Sequence, residues 1–295
     1  MEKVLSIGTA LYVEEIREKL NSRIEYLAAE DIKIQVKERQ QTEFIFFDYT
    51  LVNQEDYSKF KNICKDFLIT SLAELIINEV ETFLIKELLQ EKYQDYSQTE
   101  QEIIYNLVLE DFNPLQDDTK KDVGSLVDRK RRIRMKLADY LNFNEELLLE
   151  GFIIFRLKDY LKELESRVDW AVDYFIKKQE YQEFIGLLRY FVDIQETKEN
   201  LVHIIEDAEK GFEVLDDSRQ VLKNEYLDSL NSNLTSEKLN YNDLLISALI
   251  TLMPAEIMLH YQVKGNTFEI LRSIFGERVS FCGGCKFCVD SSVKK

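Results

Sequence analysis

FKNICKDFLITSLAELIINEVETFL, residues 60–84, is the stretch that decides the fold class. Its apolar residues Phe60, Ile63, Cys64, Phe67, Leu68, Leu72, Leu75, Ile76, Val80, Phe83 and Leu84 keep intervals of three and four. That period gathers side chains on one face of an α-helix. No glycine or proline interrupts the chain between Gly8 and Pro114. Both residues weaken helix interiors, so their absence leaves long helices free to form.

Downstream the same period continues. Ile103, Ile104, Leu107 and Val108 predict a further helix, closed by Asn113-Pro114, and the polar segment 114–124 reads as an exposed connector. Helices are then expected over 126–141, 152–177 and 180–195. Upstream the pattern changes. Lys3 to Ile7 predicts a strand, and Val13, Ile16, Leu20, Ile24 and Leu27 an amphipathic helix. Ile32, Ile34 and Val36 alternate with polar residues, and Glu43 to Phe47 follows a polar turn, which predicts a strand pair. Such a β-α-β-β unit is marginal alone and must pack on something else. In the last hundred residues, Val202–Ile205 and Phe212–Leu215 predict a hairpin around 207–211. Asp243–Leu252 predicts an apolar helix, Ile257–Tyr261 a strand, Thr267–Phe275 a helix and Arg278–Phe281 a final short strand.

The expected architecture is therefore α+β and predominantly α. A central helical bundle over 54–196 is flanked by an N-terminal β-α-β-β unit over 1–50 and a C-terminal α/β segment over 200–282. A cysteine-containing tail covers 283–295.

Composition supports packed interiors: 45% of residues are hydrophobic and 12% aromatic, although 32% are charged. A net charge of −17 argues against general nucleic-acid binding, because phosphates are repelled unless one basic patch outweighs the rest. Three of the four cysteines crowd at the C-terminal end, unlike a secreted disulfide framework, which predicts a reducing, cytoplasmic setting. Val4 to Val13 is apolar after Lys3, but it lacks an A-x-A site and runs into Glu14 and Glu15, so a strand is expected there rather than a signal peptide. The longest apolar run, Leu244 to Met253, is about half of the ~20 residues that a membrane span needs.

Cys282-Gly-Gly-Cys285-Lys-Phe-Cys288 is the sharpest local signal. Two cysteines separated by two residues can turn both sulfurs onto one metal, and Gly283 and Gly284 permit the tight turn. A third cysteine at like spacing resembles the start of a ferredoxin-type iron–sulfur loop. Zinc would need a fourth donor, for which Cys64 and His260 are candidates and His203 is the remaining histidine. The bland reading makes the three thiols a reduced tail and Cys64 a core hydrophobe. His203 interrupts one apolar strand and His260 ends another, positions typical of packed or rim residues.

A basic run, Arg129, Lys130, Arg131, Arg132, Arg134 and Lys136, is the one candidate for a nucleic-acid or acidic-protein contact. Ile133 and Leu137 lie four apart within it, so the run also reads as the solvated face of an amphipathic helix. Asp117 and Asp118, or Glu145 and Glu146, are candidates to neutralise it. No P-loop or Rossmann glycine loop, H-E-x-x-H or G-x-S-x-G occurs, and no carboxylate pair stands out, so nothing in the sequence supports an enzyme.

Two stretches carry a resemblance. One is GFIIFRLKDY, residues 151–160, with VDWAVD at 168–173, EYQEFI at 180–185 and Leu188-Arg-Tyr190. The other is LITLMP at 249–254 with Ile257–His260, Thr267–Phe275 and Glu277-Arg-Val279. Their order resembles the YtxC-like family, sporulation-linked proteins of endospore-forming Firmicutes, across 150–282. The resemblance implies a cytoplasmic protein acting with protein partners, and attaches no activity, cofactor or catalytic residue. Phe155, Arg156 and Tyr160 match its strongest stretch, where Arg156 is expected to bridge to Asp159 or Glu163. The terminal cysteines lie outside the shared pattern.

Overall fold

At the centre of the first sheet lies β1 (Glu2–Thr9), whose residues Val4 to Gly8 are all buried. It pairs antiparallel with β3 (Phe44–Leu51), which pairs antiparallel with β2 (Ile34–Gln41). The computed structural model describes residues 2–20, 24, 27, 32–52, 57–111, 126–207, 211–222, 241–261, 267–285 and 288. The expected connector at 114–124 lies outside these. On its other edge β1 pairs parallel with β4 (Glu146–Leu148), completing the order β2-β3-β1-β4. Alternation did not reveal β4. Its three residues become a strand because the edge of β1 is there, with Ser6 N donating to Glu145 O at 2.8 Å.

The first helix, α1 (Val13–Glu15), passes into a π-helical stretch, Ile16–Leu20, and buries Ile16 and Leu20. The deciding stretch is helical throughout: α2 (Tyr57–Leu75), a π turn (Ile76–Val80) and α3 (Glu81–Lys92). A π turn inserts an extra residue and rotates the helix beyond it. Leu75, Ile76 and Ile77 are thereby buried in succession, and Glu81, just after the turn, faces inward at 3% exposed. Next come α4 (Gln98–Asp111) and α5 (Leu126–Phe143), the latter packed on α2 through Ile133, Leu137 and Leu141. In α6 (Leu149–Arg156), Glu150 Oε1 accepts bonds from Thr9 Oγ1, Ala10 N and Leu11 N, which ties the first helical turn to the end of β1.

The expected helix pair 152–177 and 180–195 needs correction. The break falls at Leu157, and α7 runs uninterrupted over Lys158–Ile194. Lys177-Lys-Gln-Glu180 contains only good helix formers, so polarity alone gives no reason to stop.

Beyond α7 a second mixed sheet forms in the order β6-β5-β7-β8. β5 (Glu199–Asp207) and β6 (Gly211–Leu215) make the expected hairpin. β7 (Pro254–Leu259) runs parallel to β5, and β8 (Val279–Phe281) parallel to β7. Helices α8 (Tyr241–Leu252) and α9 (Thr267–Phe275) close the core through Leu245, Leu249, Leu271 and Ile274. The chain thus forms two compact units, Met1–Phe175 and Ile176–Lys295, each with its own sheet and apolar core. It is a predominantly helical α+β protein. No helix among the described residues is long and apolar enough to cross a membrane.

Candidate metal centre

The parallel strands β7 and β8 end in register, Leu259 opposite Phe281, and the second unit uses this to gather polar side chains at that end. Directly after β7, His260 N donates to Ile204 O of β5 at 2.9 Å. Directly after β8, Cys282 N donates to Leu259 O at 2.9 Å. His260 and Cys282 are therefore fixed by sheet hydrogen bonds before any side chain is considered. From Cys282 the chain turns through Gly283 and Gly284, the latter at φ +115°, a conformation that residues with a Cβ rarely adopt. Cys288 N then donates to Cys285 O at 3.1 Å, curling the third thiol back.

The ligating atoms of His260, Cys282, Cys285 and Cys288 all lie within 4.8 Å of one another. His260 Nδ1 is 3.2 Å from Cys285 Sγ and 3.5 Å from Cys288 Sγ, and these two sulfurs are 3.9 Å apart. Around one zinc with ordinary bond lengths, tetrahedral edges measure about 3.8 Å between sulfurs and about 3.6 Å between nitrogen and sulfur. The three edges among His260, Cys285 and Cys288 lie near these values, and Cys282 Sγ lies within 4.8 Å of the other three ligand atoms. An iron–sulfur cluster interposes its own iron and sulfide atoms between thiolates bound to different irons and spreads those thiolates wider.

His260 is 8% exposed, and its Nε2 lies 3.0 Å from Nδ1 of the equally buried His203. Burial is the main cause that holds both imidazoles below their ordinary pKa, which favours the neutral form a metal requires. The Cys285 backbone bond favours the Cys288 thiolate. Burial and the neighbouring thiols outweigh it and hold this thiol above its ordinary value. A divalent cation among the three sulfurs would reverse that balance.

The other candidate residues fall elsewhere. Cys64 is fully buried in the core of the first unit, on the α2 face that carries Leu68 and Leu72, and burial pushes its thiol up to about 11. Helical spacing made it a core residue; the fourth member of the cluster is His260. Most of the basic run has acidic partners within the first unit, buried at Arg129 and exposed beyond it. Arg129 is buried against Glu81 at 2.8 Å, and Lys130 pairs with Glu74. Arg132 meets Glu163 at 3.0 Å, Arg134 meets Asp66 at 3.5 Å and Lys136 meets Asp159 at 3.4 Å. Arg131 is exposed. The expected neutralising acids are thus corrected: Glu145 pairs with Lys61 and Glu146 with Lys3 and Arg39, while Asp117 and Asp118 lie outside the described residues. Tyr160 donates to Glu81, Phe155 is exposed, and Arg156 stacks over Tyr140 at 5.7 Å instead of bridging to Asp159 or Glu163. Sequence reasoning missed the partnership of His203 with His260. Its only trace is that the chain has two histidines, one within and one at the end of an apolar stretch read as a strand.

The model of the YtxC-like family matches residues 66–280. "Uncharacterized protein YtxC" of Bacillus subtilis (strain 168) is 29% identical over 194 residues, covering 65% of this chain and 68% of that protein. No solved structure matches the chain. The matched segment contains both histidines and stops two residues short of Cys282.

Proposed function

The chain belongs to the YtxC-like family, and for it we propose a mononuclear structural zinc centre formed by Cys282, Cys285, Cys288 and His260. The observation that carries the proposal is the convergence within 4.8 Å of three sulfurs from the segment that turns through Gly283 and Gly284 and one nitrogen of His260, with Cys282 and His260 held by sheet hydrogen bonds. Four protein ligands leave no open position for substrate, so the ion's work is to fasten the segment after β8 to the end of β7. Because the family match stops before the cysteines, the centre is proposed for this chain and not for the family. Metal analysis of protein purified under reducing conditions should give one zinc per chain, falling to none when Cys282 and Cys285 become serine. A zinc-free protein refutes the proposal.

A second reading concerns what the fastened molecule does. The family resemblance supports a non-catalytic, cytoplasmic role in endospore formation through protein partners. On the last turns of α7, Phe184, Leu187, Tyr190 and Ile194 are each more than half exposed. Contiguous exposed apolar residues mark contact surfaces more often than solitary ones. Leu187→Glu combined with Tyr190→Glu should abolish capture of a specific partner from sporulating cells. Unchanged capture, or no specific partner for the unaltered protein, counts against this reading. The nucleic-acid reading ranks below both, since five cations of the basic run have carboxylate partners within the chain.

A further inference from the structure

We infer that His203 is a positioning residue of the zinc centre, holding His260 in the tautomer and ring orientation that present Nδ1 to the three sulfurs. The inference rests on the zinc reading above.

Its ground is that both ring nitrogens of His260 are engaged. Nδ1 faces Cys285 Sγ and Cys288 Sγ, while Nε2 faces His203 Nδ1 at 3.0 Å. An imidazole that gives the Nδ1 lone pair to a cation carries its proton on Nε2. That proton points at His203 Nδ1, which must accept it. His203 in turn carries its own proton on Nε2. One ion thereby sets the tautomers of two rings.

The sheet supports this arrangement. β5 and β7 are adjacent and parallel, with His203 opposite Met258 and Ile204 opposite Leu259. The bond from His260 N to Ile204 O continues that ladder and seats the His260 ring beside residue 203. Both rings are 8% exposed, so water competes poorly for the bond between them. Metal-bound histidines commonly give their second N–H to a carboxylate or a carbonyl. Here the acceptor is a neutral imidazole, which orients the ligand without adding a further buried negative charge beside three thiolates.

The chain has only two histidines, so the imidazole ¹⁵N spectrum of the zinc-loaded protein contains two ring systems. The expected spectrum shows His260 coordinated through Nδ1 and protonated on Nε2, and His203 with a bare Nδ1 and a protonated Nε2. Coordination through His260 Nε2, or a proton on His203 Nδ1, overturns the inference. Zinc affinity by chelator competition and the visible bands of the cobalt-substituted protein supply a second arm. His203→Leu should weaken zinc binding roughly 10–100-fold and displace the cobalt bands. His203→Asn, which keeps an acceptor oxygen near the place of Nδ1, should restore both. Equal affinity and identical bands in His203→Leu overturn the role of His203 while leaving the centre standing. An unaltered protein that takes up no zinc removes the centre itself. Should His203→Leu fail to fold, the nitrogen spectrum of the unaltered protein decides.

Discussion

Glu81 shows at the scale of one residue how the first unit handles charge. It is 3% exposed, pairs with Arg129 at 2.8 Å and accepts a bond from the Tyr160 hydroxyl. Burial, reinforced by the Glu81 carboxylate, drives the Tyr160 pKa far above its ordinary value, so the hydroxyl stays a donor. Glu81→Ala removes one partner of a buried ion pair, which should cost about 3–5 kcal/mol in denaturant unfolding. Adding Arg129→Met should restore part of that loss. A single substitution within experimental error of the parent would show that water reaches the pair. None of this is legible in the sequence: Glu81 is one of 55 acidic residues, and only the π turn before it aims it inward. Cys64 differs in this respect, since it lies on an apolar helical face and its burial can be read from spacing.

Among the elements, the register of β1 against β3 rests partly on Gly8. It sits opposite Phe46, whose ring lies against the Gly8 backbone and under the Arg39 guanidinium, 4.6 Å from the ring centre. A Cβ at position 8 would come within 2.5 Å of the Phe46 ring. Gly8→Ala must therefore displace the ring and its cation, and a loss of about 1–3 kcal/mol is expected in thermal or denaturant melts. An unchanged midpoint would mean that the ring moves freely. Long periodic elements such as α2 and α5, and alternating ones such as β2 and the β5–β6 hairpin, are readable because their pattern is local. β4 is not, since three residues at a sheet edge are defined by their neighbour. The uninterrupted course of α7 escapes a reading of periodicity for a related reason: its polar middle carries no helix breaker, yet without an apolar stripe it looks like a gap.

Across the whole molecule, two cores share one chain, and the cysteine–histidine cluster belongs to the second. Binding that favours the folded state stabilises the unit that holds the ligand. Calorimetry in the presence of a strong chelator should move the unfolding transition that includes the second unit to lower temperature. A thermogram that the chelator leaves unchanged would contradict a bound ion. The candidate site is half legible in the sequence. A C-x-x-C-x-x-C string announces itself, whereas the choice between Cys64 and His260 depends on strand order, which no local pattern carries.

Both the fastening of the segment after β8 and the role of His203 depend on a single ion held by three sulfurs and one imidazole nitrogen. X-ray absorption at the zinc edge of the purified protein reads that shell. Three sulfur neighbours at about 2.3 Å and one nitrogen at about 2.0–2.1 Å are expected, with no second metal nearby. A shell of four sulfurs, a shell of oxygen and nitrogen alone, or a metal–metal vector would contradict it.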